Sequence, residues 1–166
     1  MNLIIMCGLP FSGKTTLSKQ IAKHTNSRRI SFDELWLELE KNLQNKNHLT
    51  WDLVVSEAKK RIADYLERGS SVVYDDTNAK KEHRDALSDI AKDHQSHSQI
   101  VYLDVPKEVI FKRREQNLSS HSRHDVEDEN FNSVLNQFEE PSHIENVIVF
   151  KPDDEVEKWL EGLLKE

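Results

Sequence analysis

Residues 8–16 read GLPFSGKTT and follow directly on the apolar run LIIMC. Gly8 and Gly13 permit backbone torsions closed to other residues, so N–H groups between them can curl around an anion. A helix opening near Lys14 adds the positive end of its dipole. In this pattern, G-x-x-x-x-G-K-[ST], the lysine, Lys14, reaches the β- and γ-phosphates of a nucleoside triphosphate, and the Thr15 hydroxyl binds Mg²⁺. Thr16 lies near the α-phosphate, and Leu9, Pro10, Phe11 and Ser12 supply the backbone of the cradle. The expected ligands are ATP and Mg²⁺.

Other residues have chemistry to offer such a ligand. Asp33, in RRISFDELW, comes just after a short β-rich run. At the carboxyl edge of a parallel sheet, where ligands bind, its carboxylate can accept a hydroxyl proton and aim the oxygen at the γ-phosphorus. Glu34 competes for that role, and either acid can instead serve the first turn of a helix. Asp75 and Asp76 end the run SVVYDD, where acids are costly to desolvate unless paired or serving a cation. Thr77 or Asn78 can cap the helix that follows. Arg113 and Arg114 close a helix that starts at Pro106, and Arg123 stands in the Ser/His-rich stretch NLSSHSRH behind it. Arginines on a mobile lid, placed at about 113–126, would shield the phosphates and balance their charge.

These residues need a frame, and the sequence supplies one. Apolar β-rich runs at 2–7, 28–31, 71–76, 99–105 and 146–150 are near-continuous, as in strands covered on both faces. Helical patterns lie between them. Val54, Ala58, Ile62 and Leu66 make one stripe, with Thr50 or Asp52 available as a cap. Ala79, His83, Ala86, Leu87 and Ile90 make a second. Phe131 to Phe138 and Val156 to Leu164 carry the last two. The alternation predicts an α/β domain over 1–166, a parallel sheet with helices on both sides.

Composition removes some functions. Thirty acids against 23 bases give a net charge of −7, which disfavours non-specific nucleic-acid binding. No apolar run approaches the roughly 20 residues of a membrane span. One cysteine, Cys7, excludes an intramolecular disulfide and fits a reducing cytoplasm. At the end of an apolar strand it reads as a buried, inert thiol. His121 and His124 read as surface histidines rather than metal ligands. Trp36 and Trp51 read as core aromatics, with stacking on a flat substrate as the alternative.

GLPFSGKTT, SFDELW, VVYDDTN, the basic segment behind strand four and QFEEP together resemble the small P-loop kinases. That group includes the polynucleotide 5′-hydroxyl kinases, the zeta-toxin kinases, chloramphenicol phosphotransferase and the seryl-tRNA kinases. The resemblance implies a nucleotide-kinase type of fold with strand order 2-3-1-4-5. It implies Asp33 as the catalytic aspartate, Asp76 as the acid of the D-T-N pattern, and Lys151 and Pro152 as neighbours of the adenine. The lid is short, and Asp125, Glu127, Asp128 and Glu129 follow it closely, unlike a long basic clamp for a polynucleotide.

The resulting expectation is an ATP- and Mg²⁺-dependent kinase acting on a hydroxyl. A small-molecule acceptor is favoured and a nucleic-acid end is the alternative. Lys14, Asp33, Arg114 and Arg123 are its expected catalytic groups, Arg113 and Arg114 also touch nucleotide, and Thr15 and Asp76 serve the metal. Two other classes compete, a nucleotide-driven switch and a non-catalytic nucleotide-binding module. The guanine-recognition element N/T-K-x-D is missing after VYLDVP, against the first. Retention of Lys14, Thr15 and Asp33 counts against the second.

Overall fold

The structure is a computed structural model describing residues 2–42, 48–120 and 127–163. Five strands form one parallel sheet: β1 (Asn2–Cys7), β2 (Arg28–Ser31), β3 (Val72–Asp75), β4 (His97–Leu103) and β5 (Val147–Phe150). Their order across the sheet is β2-β3-β1-β4-β5, so β1 lies in the middle. Leu3, Ile4 and Ile5 pair with Val72, Val73 and Tyr74 on one side, while Cys7 faces Tyr102 on the other.

Side chains alternate across a strand, so β1 feeds two cores. Leu3, Ile5 and Cys7 enter a cluster with α3 (Trp51–Glu67) and α4 (Lys81–Asp93). Ile4 and Met6 point the other way, against α1 (Lys14–His24), α5 (Lys107–Ser120), α6 (Asp128–Gln137) and α7 (Val156–Leu163). α2 (Phe32–Asn42) follows β2 without a break and buries Leu35.

Each helix takes its place through its own stripe. In α3, Val54, Ala58, Ile62 and Leu66 recur every four residues and are all buried. Thr50 caps its start, its hydroxyl accepting the Leu53 amide at 3.3 Å. Gly69, at φ +79°, ends it in the left-handed conformation that lets its amide return to the Leu66 carbonyl.

Several boundaries differ from the sequence expectation. β3 stops at Asp75, so Asp76 stands beyond the ladder. α4 begins at Lys81, with Lys80 at its N-cap making no side-chain bond, and neither Thr77 nor Asn78 caps it. Ala79 is outside the helix. α5 runs on to Ser120, placing Arg113 and Arg114 in its middle rather than at its end. EQNLSS contains no Gly or Pro to stop it. Arg123, His121, His124 and the rest of the expected lid beyond Ser120 lie outside the described residues.

Ile62 is fully enclosed between α3 and the sheet. Ile62→Ala should therefore cost about 2–5 kcal/mol in urea unfolding. A loss below about 1 kcal/mol would contradict the packing of α3 on the sheet.

Candidate active site

The phosphate loop follows β1 at the sheet's carboxyl edge. Gly8 and Gly13 have φ of +151° and +108°. A Cβ on Gly8 would stand 3.1 Å from the Ser12 hydroxyl and 3.2 Å from the Leu103 carbonyl oxygen, tight contacts added to a torsion that L side chains rarely adopt. Phe11 also takes a left-handed torsion, φ +65°, rare for a bulky side chain and held by its ring packing on Phe131. The Ser12 hydroxyl is buried with no hydrogen-bond partner.

Arg113 braces this loop from α5. Its Nη1 donates to the Phe11 and Ser12 carbonyls at 3.1 and 3.0 Å. In a trans peptide the N–H opposes the C=O, so the Gly13 amide is turned away from Arg113. No side chain caps α1, and its Thr16 amide turns back to the Gly13 carbonyl at 3.1 Å. This leaves the Lys14 and Thr15 amides without backbone partners among the described residues. The loop thus fits a polyphosphate: a strained cradle, an orphaned hydroxyl and free helix amides in one place.

Lys14 Nζ donates to the Leu9 carbonyl at 2.9 Å. Burial pushes its pKa down, and Asp75, Asp76 and Asp33 act in the opposite direction. Thr15 and Thr16 are exposed at the start of α1.

The acids divide into committed and uncommitted groups. Asp75 is buried and accepts the Ser18 hydroxyl at 2.9 Å and Arg29 Nη2 at 2.6 Å. Arg29 Nη1 also donates to both oxygens of Glu34 at 2.9 Å, and Nε to Ser18 Oγ. Arg29 therefore takes Asp75 and Glu34, the two acids that competed for site roles. Asp33, one residue before Glu34, is exposed and makes no hydrogen bond or ion pair among the described residues. It is near enough to raise the pKa of both Lys14 and Asp76.

Asp76 is half-buried past the end of β3. It accepts the Thr77 amide at 2.7 Å and the Tyr74 hydroxyl at 3.3 Å. Burial pushes its carboxyl up to about 6, against the opposing effects of the Thr77 amide and Lys14. Tyr74 is likewise pushed up, by burial first and then by Asp76.

Asp76 borders two adjoining cavities. One, of about 310 Å³, lies between α3 and α4 and includes Trp51, Lys59, Tyr74, Asn78 and His83. The other, of about 380 Å³, extends past Thr77 and Lys80 to Ser133 and Gln137 on α6. Trp51 is 43% exposed and packs on His83 with ring centroids 5.1 Å apart. His83, read from the sequence as part of a core stripe, faces this space instead. Trp36 packs against the core beside Phe32. Asp33 lines neither cavity.

The remaining expected groups are more scattered. Arg114 pairs with Asp128 and lies over the Phe131 ring at 4.2 Å, turned from the loop that Arg113 touches. Lys151 and Pro152 are exposed just after β5, at the same edge of the sheet. Burial pushes the Cys7 thiol up to about 12, in keeping with the inert thiol expected of it. No group of three or more His, Cys, Asp or Glu side chains forms a metal cage among the described residues. An exposed Thr15 hydroxyl with nearby uncommitted carboxylates fits a hard dication that a phosphate ligand helps to hold.

Sequence reasoning missed Arg29, Ser18, Arg84 and Glu145. An arginine inside a four-residue strand was the available signal, since a cation there needs a partner.

The family described as AAA domain matches residues 3–141. The chain belongs to that family. Among its relatives is the L-seryl-tRNA(Sec) kinase of Methanococcus maripaludis, 31% identical over 116 residues. That match covers 67% of this chain and 44% of the relative, so the chain spans less than half the relative's length. Kti12 from Chaetomium thermophilum, solved in complex with ADP-AlF3, superposes with a TM-score of 0.71. It is 21% identical, with 98% of this chain and 97% of that one covered. A sugar kinase from Janibacter sp. HTCC2649 gives a TM-score of 0.69 at 22% identity, covering 99% and 92%. This AAA domain chain thus has the P-loop kinase fold, with the 2-3-1-4-5 sheet expected of it. Among the described residues no helix is long and apolar enough to cross a membrane.

Asp76 makes pH a test of the site. Its ordinary value is 3.8 and its folded value about 6, so between them the folded chain holds more protons. Stability must then fall as pH rises through that window. Asp76→Asn should be more stable than the parent by about 1–3 kcal/mol near neutral pH, with the gain gone at about pH 4. Urea unfolding at both pH values checks this, and an equal difference at both would contradict it.

Proposed function

We propose that this chain is an ATP-dependent kinase that transfers the γ-phosphoryl group to a hydroxyl, a small-molecule acceptor being favoured. One observation carries the reading. The phosphate loop is tied at Gly8 to Thr77, the residue next to Asp76, and Asp76 borders both cavities, so donor and acceptor sites adjoin.

In this reading the backbone of Gly8–Thr16 holds the triphosphate and Lys14 draws charge from its β- and γ-oxygens. Thr15 and Asp76 are the residues that would hold Mg²⁺, which neutralises phosphate charge when bound. Asp33 takes the acceptor's hydroxyl proton as that oxygen bonds to the γ-phosphorus and ADP departs. Arg113 braces the loop carbonyls from α5 and must leave them to serve as a nucleotide contact. Arg114 must exchange Asp128 for phosphate to serve as a catalytic cation, and Arg123 belongs to the same proposal. Residues 1–166 act as one kinase unit; the segment expected as its lid begins within α5 and continues outside the described residues. The single buried thiol suits a reducing, cytoplasmic setting.

The cavity between α3 and α4, at about 310 Å³, has the size of a small-ligand site. Its Trp51 wall and Lys59 offer an apolar face and a cation to an acceptor. Asp33 stands outside it, so an acceptor held there must extend its hydroxyl past Asp76 to meet that base. A tRNA-linked or other nucleic-acid hydroxyl is the second reading, favoured by the likeness to the M. maripaludis enzyme.

Labelled ATP tested against sugars, nucleosides, aminoglycosides and 5′-hydroxyl oligonucleotides separates the readings. Transfer to an acceptor far above transfer to water is expected, and hydrolysis alone would favour a switch. Asp33→Asn should leave ATP affinity nearly intact while turnover falls about 10²–10⁴-fold. Unchanged turnover would remove Asp33 from the proton-accepting role. Lys14→Ala should abolish detectable turnover, and an active variant would discredit the phosphate-loop assignment.

A further inference from the structure

Arg84 is the largest side chain fully enclosed by the fold, 1% exposed on α4. A guanidinium in that position is costly unless its charge is met and its donors are used. Nε and Nη2 donate to the two oxygens of Glu145 at 2.9 and 3.3 Å. Nη1 donates to the Asn78 carbonyl at 2.9 Å and the Ala79 carbonyl at 3.3 Å. Glu145 is itself held by a reciprocal cap with Ser142 at a 3-10 turn, His143–Glu145. Burial pushes the Glu145 carboxyl up, but the bonds from Arg84 and Ser142 outweigh it and hold the group below its usual range.

The two carbonyls that Arg84 holds belong to the turn at 77–79, against which the phosphate loop is seated. The Thr77 carbonyl accepts the Gly8 amide at 3.2 Å. Asn78, at φ +45°, donates from Nδ2 to the Met6 carbonyl at 2.8 Å. The Thr77 amide donates to Asp76, and the Ala79 carbonyl accepts the Glu139 amide at 2.8 Å. Apolar side chains replacing Arg84 and Glu145 together would fill the same space with comparable stability but would hold neither carbonyl, whereas replacing Arg84 alone strands a buried carboxylate.

We propose that Arg84 is a positioning residue: with Glu145 it locks the Thr77–Ala79 turn, and through that turn the entry to the phosphate loop and the setting of Asp76. Its effect on turnover rests on the kinase reading, whereas its hold on the turn does not. A lysine offers one ammonium and cannot span Glu145 and both carbonyls as the planar fork does.

Arg84→Lys and Glu145→Gln test this by amide hydrogen exchange on the whole chain, with MgATP calorimetry and initial rates beside it. In folded Arg84→Lys, the Gly8 and Glu139 amides should exchange about tenfold faster or more, while Ile62 and Leu66 in α3 keep parental rates. MgATP should bind roughly three- to tenfold more weakly and kcat should fall about tenfold or more. Glu145→Gln should shift the same two amides in the same direction by less. Parental exchange at Gly8 and Glu139 overturns the proposal, and so does acceleration shared equally by α3, the mark of global loosening alone. Should Arg84→Lys fail to fold, the amide pattern of Glu145→Gln decides on the same terms. If the parent chain itself gives no heat with MgATP, the kinase reading falls while the amide comparison still judges Arg84.

Discussion

A parallel sheet ends its strands at a common edge, and there the backbone groups beyond β1 and β3 lose their ladder partners. Buried N–H and C=O groups cannot be left unpaired without cost. This chain meets the demand by binding the two strand ends to each other. The Gly8 amide reaches Thr77, the Asn78 side chain reaches Met6, and Arg84 takes the outward carbonyls of Asn78 and Ala79. The phosphate loop and Asp76 leave the sheet on either side of that seam. Their separation is therefore fixed by one backbone hydrogen bond and by two buried side chains, Asn78 and Arg84.

Charge pairing then decides which groups remain for chemistry. Arg29 draws Asp75 and Glu34 into one network with Ser18, joining β2, β3, α1 and α2. Arg84 takes Glu145. Asp33 and Asp76 are left beside a lysine whose charge burial opposes. Asp76 is destabilised as a carboxylate for the same reason. Opposed shifts of this kind beside a cavity are a feature of candidate functional sites. A cation and a polyphosphate together would relieve both.

The frame was legible in the sequence because its signals are local. The unbroken burial of β1 on both faces, period-four burial in α3 and the glycine spacing of the loop each depend on near neighbours along the chain. What could not be read depends on partners far away. Arg84 and Glu145 are separated by 61 positions, and on α4 an arginine beside an apolar stripe looks like any solvated residue. His83 matched the stripe by spacing yet borders the cavity, because the stripe is wider than the strip of helix that meets the sheet. The D-T-N resemblance already favours Asp76 over Asp75. The pairing of Asp75 with Arg29, 46 positions away, is not visible in the sequence.

The same pairing logic bears on α5. Arg113 and Arg114 are adjacent, and successive residues on a helix point about 100° apart, so they cannot face one target. Arg113 meets the loop carbonyls, while Arg114 lies over Phe131 and meets Asp128. Phe131 also touches Phe11, the strained residue of the loop. Arg114, Phe131 and Phe11 thus form a continuous stack from α5 through α6 to the phosphate cradle. Movement of α5 toward bound phosphate would have to break the exposed Asp128 contact before disturbing that stack. An exposed ion pair of this type contributes little, about 0–1 kcal/mol, whereas the buried aromatic contacts contribute more. The ion pair is therefore the contact that yields first if Arg114 turns, whereas turning Arg113 would release the Phe11 and Ser12 carbonyls that it braces.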